Sequence, residues 1–213
     1  MSGVQVSDYL KQALNQFRVA GSLPVHSSYV YFSRTKYRGQ DPECDEVQDF
    51  VQRVKDGDQK SIIAAAKLLA QHPKLRGFRG IVTPAPRSAA GRPSNLILAQ
   101  QLVKNGVGSQ ALELVTRKTA VPSSRIRRRK GLPGVSFEEH VKSMGGHLRG
   151  VKATDPILVV DDVFTTGSTI RATAAVLRKL GHKGPVVGAT VGYALDNPKQ
   201  MPLCPVHHQT FQV

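Results

Sequence analysis

Hydrophobic residues in the second half of the chain form short runs that alternate with amphipathic segments. Strands separated by helices favour a parallel sheet with right-handed crossovers. We therefore expect an α/β domain over residues 76–213, with its sheet between about 75 and 195. From Gly80 onwards, four strands are predicted, in GIVTPAP, ALELV, PILVV and PVVGATVGYA. Helices are predicted between them, in GRPSNLILAQQLVKNG and at about 168–180.

The first 75 residues predict a different organisation. A helix is expected over 7–19, where leucines and a phenylalanine share one face, and two more at about 43–56 and 58–72. The segment 26–39 is rich in aromatic and hydroxyl residues, which favours strands or a hairpin. Residues 1–75 are thus expected to form an N-terminal helical and β-hairpin subdomain.

A long basic connection separates ALELV from PILVV. It covers about 117–150, is interrupted by glycines and prolines, and has a short helix predicted near SFEEHVKSM. Its first part, 117–130, carries seven basic residues in fourteen: Arg117, Lys118, Arg125, Arg127, Arg128, Arg129 and Lys130.

Composition indicates an ordinary soluble globular protein of 213 residues, with 40% hydrophobic and 21% charged residues. No apolar run approaches the roughly 18 residues of a membrane span, and the N-terminus lacks a secretory pattern. We expect a cytoplasmic protein that does not contact a membrane. Two distant cysteines argue against a disulfide or structural zinc. The tail CPVHH offers fewer than the four ligands of a closed zinc site.

The charge is large and unevenly distributed. Thirty Lys and Arg face fifteen Asp and Glu, for a formal net charge of +15. Between Lys60 and Phe137 a single acid, Glu113, accompanies fifteen basic residues. Such a local positive field attracts polyanions. Nucleic acid and a small polyphosphate metabolite are both candidates.

Residues 157–169 read ILVVDDVFTTGST, so that two adjacent carboxylates end an aliphatic strand. Ligands bind beyond the C-terminal ends of such strands. The segment T-T-G-S-T offers backbone N–H groups and hydroxyls beside a helix N-terminus, which suits a phosphate monoester. Asp161 and Asp162 cannot bind phosphate, but ionised carboxylates are strong acceptors for sugar hydroxyls. The combination points to a ribose 5-phosphate.

Three other interpretations of the paired acids compete. A Walker B strand would require GxxxxGK[ST], which the chain lacks. A phosphorelay receiver carries paired acids on its first strand, whereas here one predicted strand remains after the pair. A purely structural strand end would leave two like charges without a nearby basic partner.

The stretch ILVVDDVFTTGST resembles the thirteen-residue phosphoribosyl pyrophosphate signature of type I phosphoribosyltransferases, and all thirteen positions fit. The resemblance implies a parallel sheet flanked by helices, with residues 1–75 and the segment after Tyr193 as a hood. It implies that Asp161 and Asp162 bind the ribose hydroxyls. It assigns the 5-phosphate to Thr165, Thr166, Gly167, Ser168 and Thr169.

A wider resemblance points to the ComF-like branch. It is carried by TKYRG (35–39) and by IVTPAPRSAAGR (81–92) with its following helix. The chain departs from that branch in lacking a cysteine-rich zinc ribbon and in reading GRPS where the family tends to read GFNQ. Thr165 also stands where 6-oxopurine enzymes carry an acid, which disfavours a 6-oxopurine substrate.

The same resemblance implies roles for further residues. Arg87, Ser88 and Arg92 would bind pyrophosphate, with merely solvated arginines as the alternative. The basic run 117–130 would be a mobile loop that closes over the diphosphate, with a nucleic-acid or targeting surface as the alternative. Mg²⁺ is expected with the pyrophosphate, held by ligand oxygens and water rather than directly by the protein. Lys36, Tyr37 and Tyr193 are candidates for the hood over the acceptor, although aromatic residues there also suit core packing.

The sequence therefore predicts a Mg²⁺-dependent phosphoribosyltransferase. It would transfer phosphoribose from phosphoribosyl pyrophosphate to a nitrogen acceptor and release pyrophosphate. The alternative is a nucleic-acid-binding or regulatory protein that uses the same fold to sense the metabolite. A homo-oligomer is compatible with either function.

Overall fold

Eight strands and five helices make up the described part of the chain, which in this computed structural model covers residues 23–32, 42–87, 94–122, 126–127, 130–195 and 206–212. The strands are β1 (Pro24–Phe32), β2 (Ile81–Pro84), β3 (Gln110–Ala111), β4 (Val115–Arg117), β5 (Met144–Gly146), β6 (Ile157–Phe164), β7 (Val186–Leu195) and β8 (Val206–Gln212). The helices are α1 (Pro42–Asp56), α2 (Gln59–Gln71), α3 (Ser94–Lys104), α4 (Phe137–Ser143) and α5 (Ser168–Lys179).

The main sheet has the strand order β3-β2-β6-β7-β1-β8. Its first five strands are parallel, and β8 runs antiparallel to β1 at the edge. A separate antiparallel pair is formed by β4 and β5. Parallel sheets covered by helices bury both faces of their strands, which explains the aliphatic runs in the sequence. The predicted α/β fold, with a parallel sheet flanked by helices, is confirmed.

Local capping fixes where two of the helices begin. Asp58 precedes α2 and accepts a hydrogen bond from the backbone N–H of Ser61 at 2.8 Å. Ser136 and Glu139 form a reciprocal capping box at the start of α4. None of the helices in the described ranges combines the length and apolar character that a membrane crossing requires.

The core lies on both sides of β6. Its first four residues, 157–160, are completely buried, as are Leu98 and Leu102 on α3 and Leu177 on α5. Burying a side chain of this kind stabilises the fold by about 1.5–3 kcal/mol. The strand is therefore held rigidly up to the point where Asp161 begins the polar end.

The N-terminal strand belongs to the main sheet and not to a separate hairpin. β1 lies between β7 and β8, with Val25 opposite Gly188. A Cβ at Gly188 would approach Val25 Cγ2 to 2.8 Å, so the glycine makes room for this pairing. The aromatic residues of this segment predict a strand, but local composition does not determine which other strand it pairs with. The helix predicted at 7–19 lies outside the described residues, and the domain boundary at residue 75 stays a prediction.

Two further differences concern the C-terminal half. The sequence predicts one strand, ALELV, where the structure has the two short strands β3 and β4. The backbone N–H of Leu112 still donates to the Val82 carbonyl of β2, and after this residue the chain leaves the main sheet. β8 was not predicted. Within 117–150, the described residues include the end of β4, the predicted short helix as α4, and β5.

Gly80 allows the chain before β2 to lie against the chain before β6. Ile81 N–H donates to the Pro156 carbonyl at 2.8 Å, and a Cβ on Gly80 would overlap that same oxygen. We expect Gly80→Ala to lower the free energy of unfolding by about 1–3 kcal/mol through overpacking. Gly106→Ala is the control: its site is open and only its positive φ is strained, at about 1–2 kcal/mol. Urea titration gives both values, and a smaller loss for Gly80→Ala would contradict the close approach.

Candidate functional site

A cleft of about 170 Å³ opens at the C-terminal end of β6. Its walls come from the end of α1, the segment after β2, β4, α4 and the turn between β6 and α5. The lining residues are Lys55, Pro86, Arg87, Arg117, Val135, His140 and the consecutive residues 161–170. The structure therefore brings the paired acids, T-T-G-S-T and two predicted basic residues into one cavity.

Asp161 is oriented by two hydrogen bonds. Its Oδ1 accepts from Asn95 Nδ2 and from the backbone N–H of Asp162, both at 2.9 Å. Burial and the neighbouring Asp162 raise the pKa of Asp161 well above its usual range, although Asn95 and Lys55 act in the opposite direction. Burial and the like charge therefore outweigh the two hydrogen bonds and the lysine in setting the proton affinity of this carboxyl.

Asp162 is itself buried, with 6% of its surface exposed. Successive side chains of a strand leave on opposite faces, which separates the two carboxylates although they are neighbours in sequence. Both still line the cleft. Two acids can therefore act on different atoms of one ligand.

The turn from β6 into α5 has the geometry of an anion site. Gly167 precedes the helix with φ 71°, a left-handed conformation that favours glycine, and α5 has no side-chain cap. The first N–H groups of α5 therefore have no capping side chain as a partner and point toward the cleft end. Thr166 Oγ1 and Ser168 Oγ lie 2.9 Å apart beside them. Amide and hydroxyl donors thus surround the space where a phosphate would fit.

Arg117 is held on three sides. Its Nε donates to the Arg87 carbonyl at 3.2 Å, Nη2 contacts His140 Nδ1 at 2.7 Å, and Nη1 donates to Ser143 Oγ. Since arginine has only donors, His140 Nδ1 must accept and carry no proton. Burial, and then the charge of Arg117, lower the pKa of His140 to about 4. Burial also lowers the pKa of Arg117, and the charge of Asp161 opposes this.

Arg87 connects three segments around the cleft. Its Nη1 donates to Ser94 Oγ at 2.7 Å and its Nη2 to the Lys55 carbonyl at 3.0 Å. The other two predicted pyrophosphate residues, Ser88 and Arg92, lie outside the described residues. Arg87 is thus fixed at the cleft wall, where the sequence predicted a pyrophosphate contact.

The predicted mobile basic loop begins in regular structure. Arg117 lies in β4, opposite Met144 of β5, and the backbone N–H of Lys118 bonds to the Ser143 carbonyl at 2.8 Å. Arg127 forms an ion pair with Glu139 of α4 at 2.7 Å. Lys130 is exposed, and Arg125, Arg128 and Arg129 lie outside the described residues. Closure of the remaining segment over a ligand stays a prediction.

The predicted hood residues are only partly described. Tyr193 lies buried in β7, with its ring edge-on to Phe164 at 4.8 Å between centroids. Phe164 lines the cleft, and Tyr193 packs against Phe164 without lining the cleft itself, so a role for Tyr193 in the hood stays a prediction. Lys36 and Tyr37 lie outside the described residues.

The sequence reasoning missed Lys55 and His140, which line the cleft, and Asn95, which donates to Asp161. Asn95 follows the GRPS segment, and its amide reaches an acid 66 residues away. Lys55 and His140 lie on amphipathic helices among other polar residues, where nothing local distinguishes them from solvated positions.

Similarity to known proteins covers part of the chain. A stretch of 69 residues is 39% identical to the adenine phosphoribosyltransferase of Actinobacillus pleuropneumoniae, covering 30% of this chain and 38% of that protein. The adenine phosphoribosyltransferase of Shewanella woodyi is 34% identical over 131 residues, 58% of this chain and 61% of that protein. The chain thus spans less than two thirds of the length of these relatives. No family model matches it.

Among solved structures, the adenine phosphoribosyltransferase of Thermoanaerobacter pseudethanolicus is 20% identical with a TM-score of 0.40, covering 64% of this chain and 82% of that one. The two curated relatives described above carry the same enzyme name, and the longer match extends over 58% of the chain. The chain is therefore similar in sequence to adenine phosphoribosyltransferases over part of its length.

The buried histidines predict an acid-sensitive fold. The pKa of His26, like that of His140, is lowered by burial from 6.5 to about 4. Between these values the unfolded chain takes up protons that the folded chain does not, so the free energy of unfolding should fall as the pH falls from about 6.5 to about 4. The loss is at most about 3 kcal/mol per histidine. Asp161 opposes it, because a carboxyl with a raised pKa binds its proton more tightly in the fold.

Urea unfolding at several pH values tests this expectation. In His140→Gln the glutamine side chain still offers an acceptor for Arg117 but does not titrate. The free energy of unfolding of this variant should therefore depend less on pH, by the amount that one histidine contributes. His147→Gln, at an exposed position, is the control. An identical pH dependence in the wild type and His140→Gln would show that His140 is protonated equally in both states.

Proposed function

We propose that this protein is a cytoplasmic, Mg²⁺-dependent phosphoribosyltransferase that uses phosphoribosyl pyrophosphate. The single observation that carries the proposal is the cleft in which Asp161 and Asp162 meet the uncapped start of α5. Carboxylates next to an anion site match a sugar that carries a phosphate. The partial sequence similarity to adenine phosphoribosyltransferases points to the same chemistry.

In this proposal the two carboxylates accept hydrogen bonds from the ribose hydroxyls. The 5-phosphate lies against residues 165–169, where backbone N–H groups and hydroxyls donate. Arg87 and Arg117 face the same cavity and would neutralise the pyrophosphate. Hydrogen-bond donors thus meet the 5-phosphate at one end of the sugar, and cations meet the pyrophosphate at the other.

Arg117 would contribute most where charge develops. When the bond between C1 and the leaving oxygen breaks, negative charge accumulates on pyrophosphate, and a cation already fixed in place needs no reorganisation. The contacts with His140, Ser143 and the Arg87 carbonyl fix the guanidinium in this way. Catalysis would then rest on positioning and electrostatics, with a nitrogen acceptor attacking C1.

The residues present fit a Mg²⁺ ion that arrives with its ligand. Among the described residues no group of three or more His, Cys, Asp or Glu could hold a metal by itself. Mg²⁺ prefers oxygen ligands, keeps several waters, and is bound through one or two carboxylates together with substrate phosphates. In this proposal ligand oxygens and water would hold the ion, and Asp161 and Asp162 would bind the ribose hydroxyls beside it. The ion would reduce the charge of the pyrophosphate as it leaves.

The acceptor is the least constrained partner. Because the similar proteins are named for adenine and Thr165 replaces the acid of 6-oxopurine enzymes, a 6-aminopurine is the first acceptor to test.

We retain the ComF-like branch as a hypothesis resting on TKYRG and IVTPAPRSAAGR. A regulatory sensor would share this cleft, because it also has to bind the metabolite. Pyrophosphate release over a panel of bases and amines separates an enzyme from a sensor.

Phosphoribosyl pyrophosphate with Mg²⁺ should stabilise the fold. At about 100 times its dissociation constant, a ligand that binds only the folded state adds roughly 2.7 kcal/mol. Asp162→Asn should reduce this stabilisation, because its hydrogen bonds to the sugar lose their ionic character. Thermal unfolding with and without ligand measures both effects. No shift in a folded wild-type sample at millimolar ligand would contradict the proposed function.

Asn95 should matter for the ligand through Asp161. In Asn95→Ala the carboxylate loses the amide donor that orients it, and affinity for phosphoribosyl pyrophosphate should fall about tenfold, as for the loss of one hydrogen bond to a charged group. Asn105→Ala is the matched control, because the Asn105 side chain donates to the Gln101 carbonyl at the opposite end of α3 from Asn95. Isothermal titration compares the variants. Equal affinities would show that Asp161 needs no orienting donor.

A further inference from the structure

The edge of the main sheet opposite the cleft is strongly basic. Four segments lead into the N-terminal ends of β2, β3, β6 and β7, and their cationic side chains are all exposed. We call this surface the basic edge. It consists of nine residues within the described part of the chain: Lys74, Arg76, Arg79, Lys104, Arg149, Lys152, Arg178, Lys179 and Lys183.

Backbone hydrogen bonds join these four segments into one surface. The segment before β3 bonds to the one before β2 through Gly108 N–H and the Phe78 carbonyl at 2.9 Å. The segment before β2 bonds in turn to the one before β6 through Ile81 and Pro156. Gly184 N–H, before β7, donates to the Ala153 carbonyl, before β6, at 2.9 Å. The nine cations are therefore presented on a continuous scaffold rather than on independent loops.

Two of the arginines are held in fixed positions. Arg79 Nη1 donates to the Gly106 carbonyl at 3.1 Å, and Arg178 Nη1 donates to the Gly184 and His182 carbonyls at 2.6 and 3.1 Å. Each guanidinium keeps further N–H donors beyond these contacts. Side chains ordered in advance lose less entropy when they bind a partner.

Acidic side chains do not neutralise the basic edge. Asp155 is the one acid in the four segments, and its Oδ2 accepts the backbone N–H of Lys152 at 2.9 Å. Within the described residues, no ion pair joins any of the nine cations to a carboxylate. Like charges concentrated in this way create a field that draws polyanions.

We propose that the basic edge binds the phosphodiester backbone of a nucleic acid. The four strands below it follow one another in the sheet, so the edge spans about 14 Å at the usual strand spacing. Duplex DNA carries one phosphate charge per about 1.7 Å with both strands counted, so about eight charges lie within that length and about four belong to each strand. Only Leu180 is a large, exposed apolar residue in these segments, which disfavours insertion into a membrane surface, where an apolar face is buried. The edge lies away from the cleft, so this proposal does not depend on the proposed function.

The test compares two triple variants with the same loss of charge. The edge variant, Arg76→Gln, Lys152→Gln and Lys179→Gln, changes exposed residues from three of the four segments. The control variant, Lys60→Gln, Lys67→Gln and Lys142→Gln, changes exposed residues on α2 and α4. The probes are a fluorescein-labelled RNA oligonucleotide of mixed sequence and the matching DNA duplex, titrated by anisotropy at several salt concentrations. Vesicles of phosphatidylserine and phosphatidylcholine form a third arm.

The wild type should bind the nucleic acid probes with a steep salt dependence. The edge variant should lower the slope of log K against log salt by up to about 2.7 for duplex DNA, at 0.9 for each lost contact, and the control variant should not. Exchanging the same three edge residues for the other basic residue (Arg76→Lys, Lys152→Arg, Lys179→Arg) should preserve binding. If the edge variant melts early, Lys74→Gln, Arg149→Gln and Lys183→Gln take its place.

Three results would overturn the proposal. One is an equal loss of binding in the edge and control variants, which would indicate net charge alone. Another is the absence of binding to either nucleic acid at low salt. The third is binding to the anionic vesicles without binding to RNA or DNA, which would assign the edge to a lipid surface.

Discussion

Two adjacent carboxylates at the end of a buried strand require compensation, and much of the cleft supplies it. Asp161 and Asp162 repel each other in surroundings where water screens them poorly. The side chain of Asn95 donates to one of them, while Lys55 and Arg117 bring positive charge. These partners come from α3, α1 and β4. The acid pair is thus compensated by donors and cations from segments that are far apart in the chain. A ligand with hydroxyl groups would add further hydrogen-bond donors to the two carboxylates.

The positive side of the cleft is ordered by a neutral histidine. Arg117 could adopt many rotamers if it were exposed, and fixing such a long side chain has an entropic cost. His140 and Ser143, one turn apart on α4, provide acceptors without adding negative charge that would compete with a phosphate. A carboxylate at position 140 would hold the arginine more strongly but would neutralise it. The histidine therefore preserves the charge while restricting its position.

Local sequence was sufficient for β6, α5 and the turn between them, because strand, acids, glycine and helix start lie within a few residues of one another. It was also sufficient for α1, α2 and the existence of α4. It failed for the partner of β1, for β8 and for Asn95, because each depends on a contact between segments far apart in the chain. The basic edge was equally hidden: its cations are scattered from Lys74 to Lys183, and only the parallel topology places them on one side.

The position of β1 has a consequence for how the chain folds. This strand comes first among the described elements, yet it pairs with β7 and β8, which come after all the other described elements in the chain. Contacts between such distant segments form slowly, because a long loop has to close before they are gained. During synthesis on the ribosome, β1 emerges before β7 and cannot form its native pairs until β7 has followed. An unpaired strand of this kind is a site of aggregation, so chaperones that shield extended segments would be most useful in that interval.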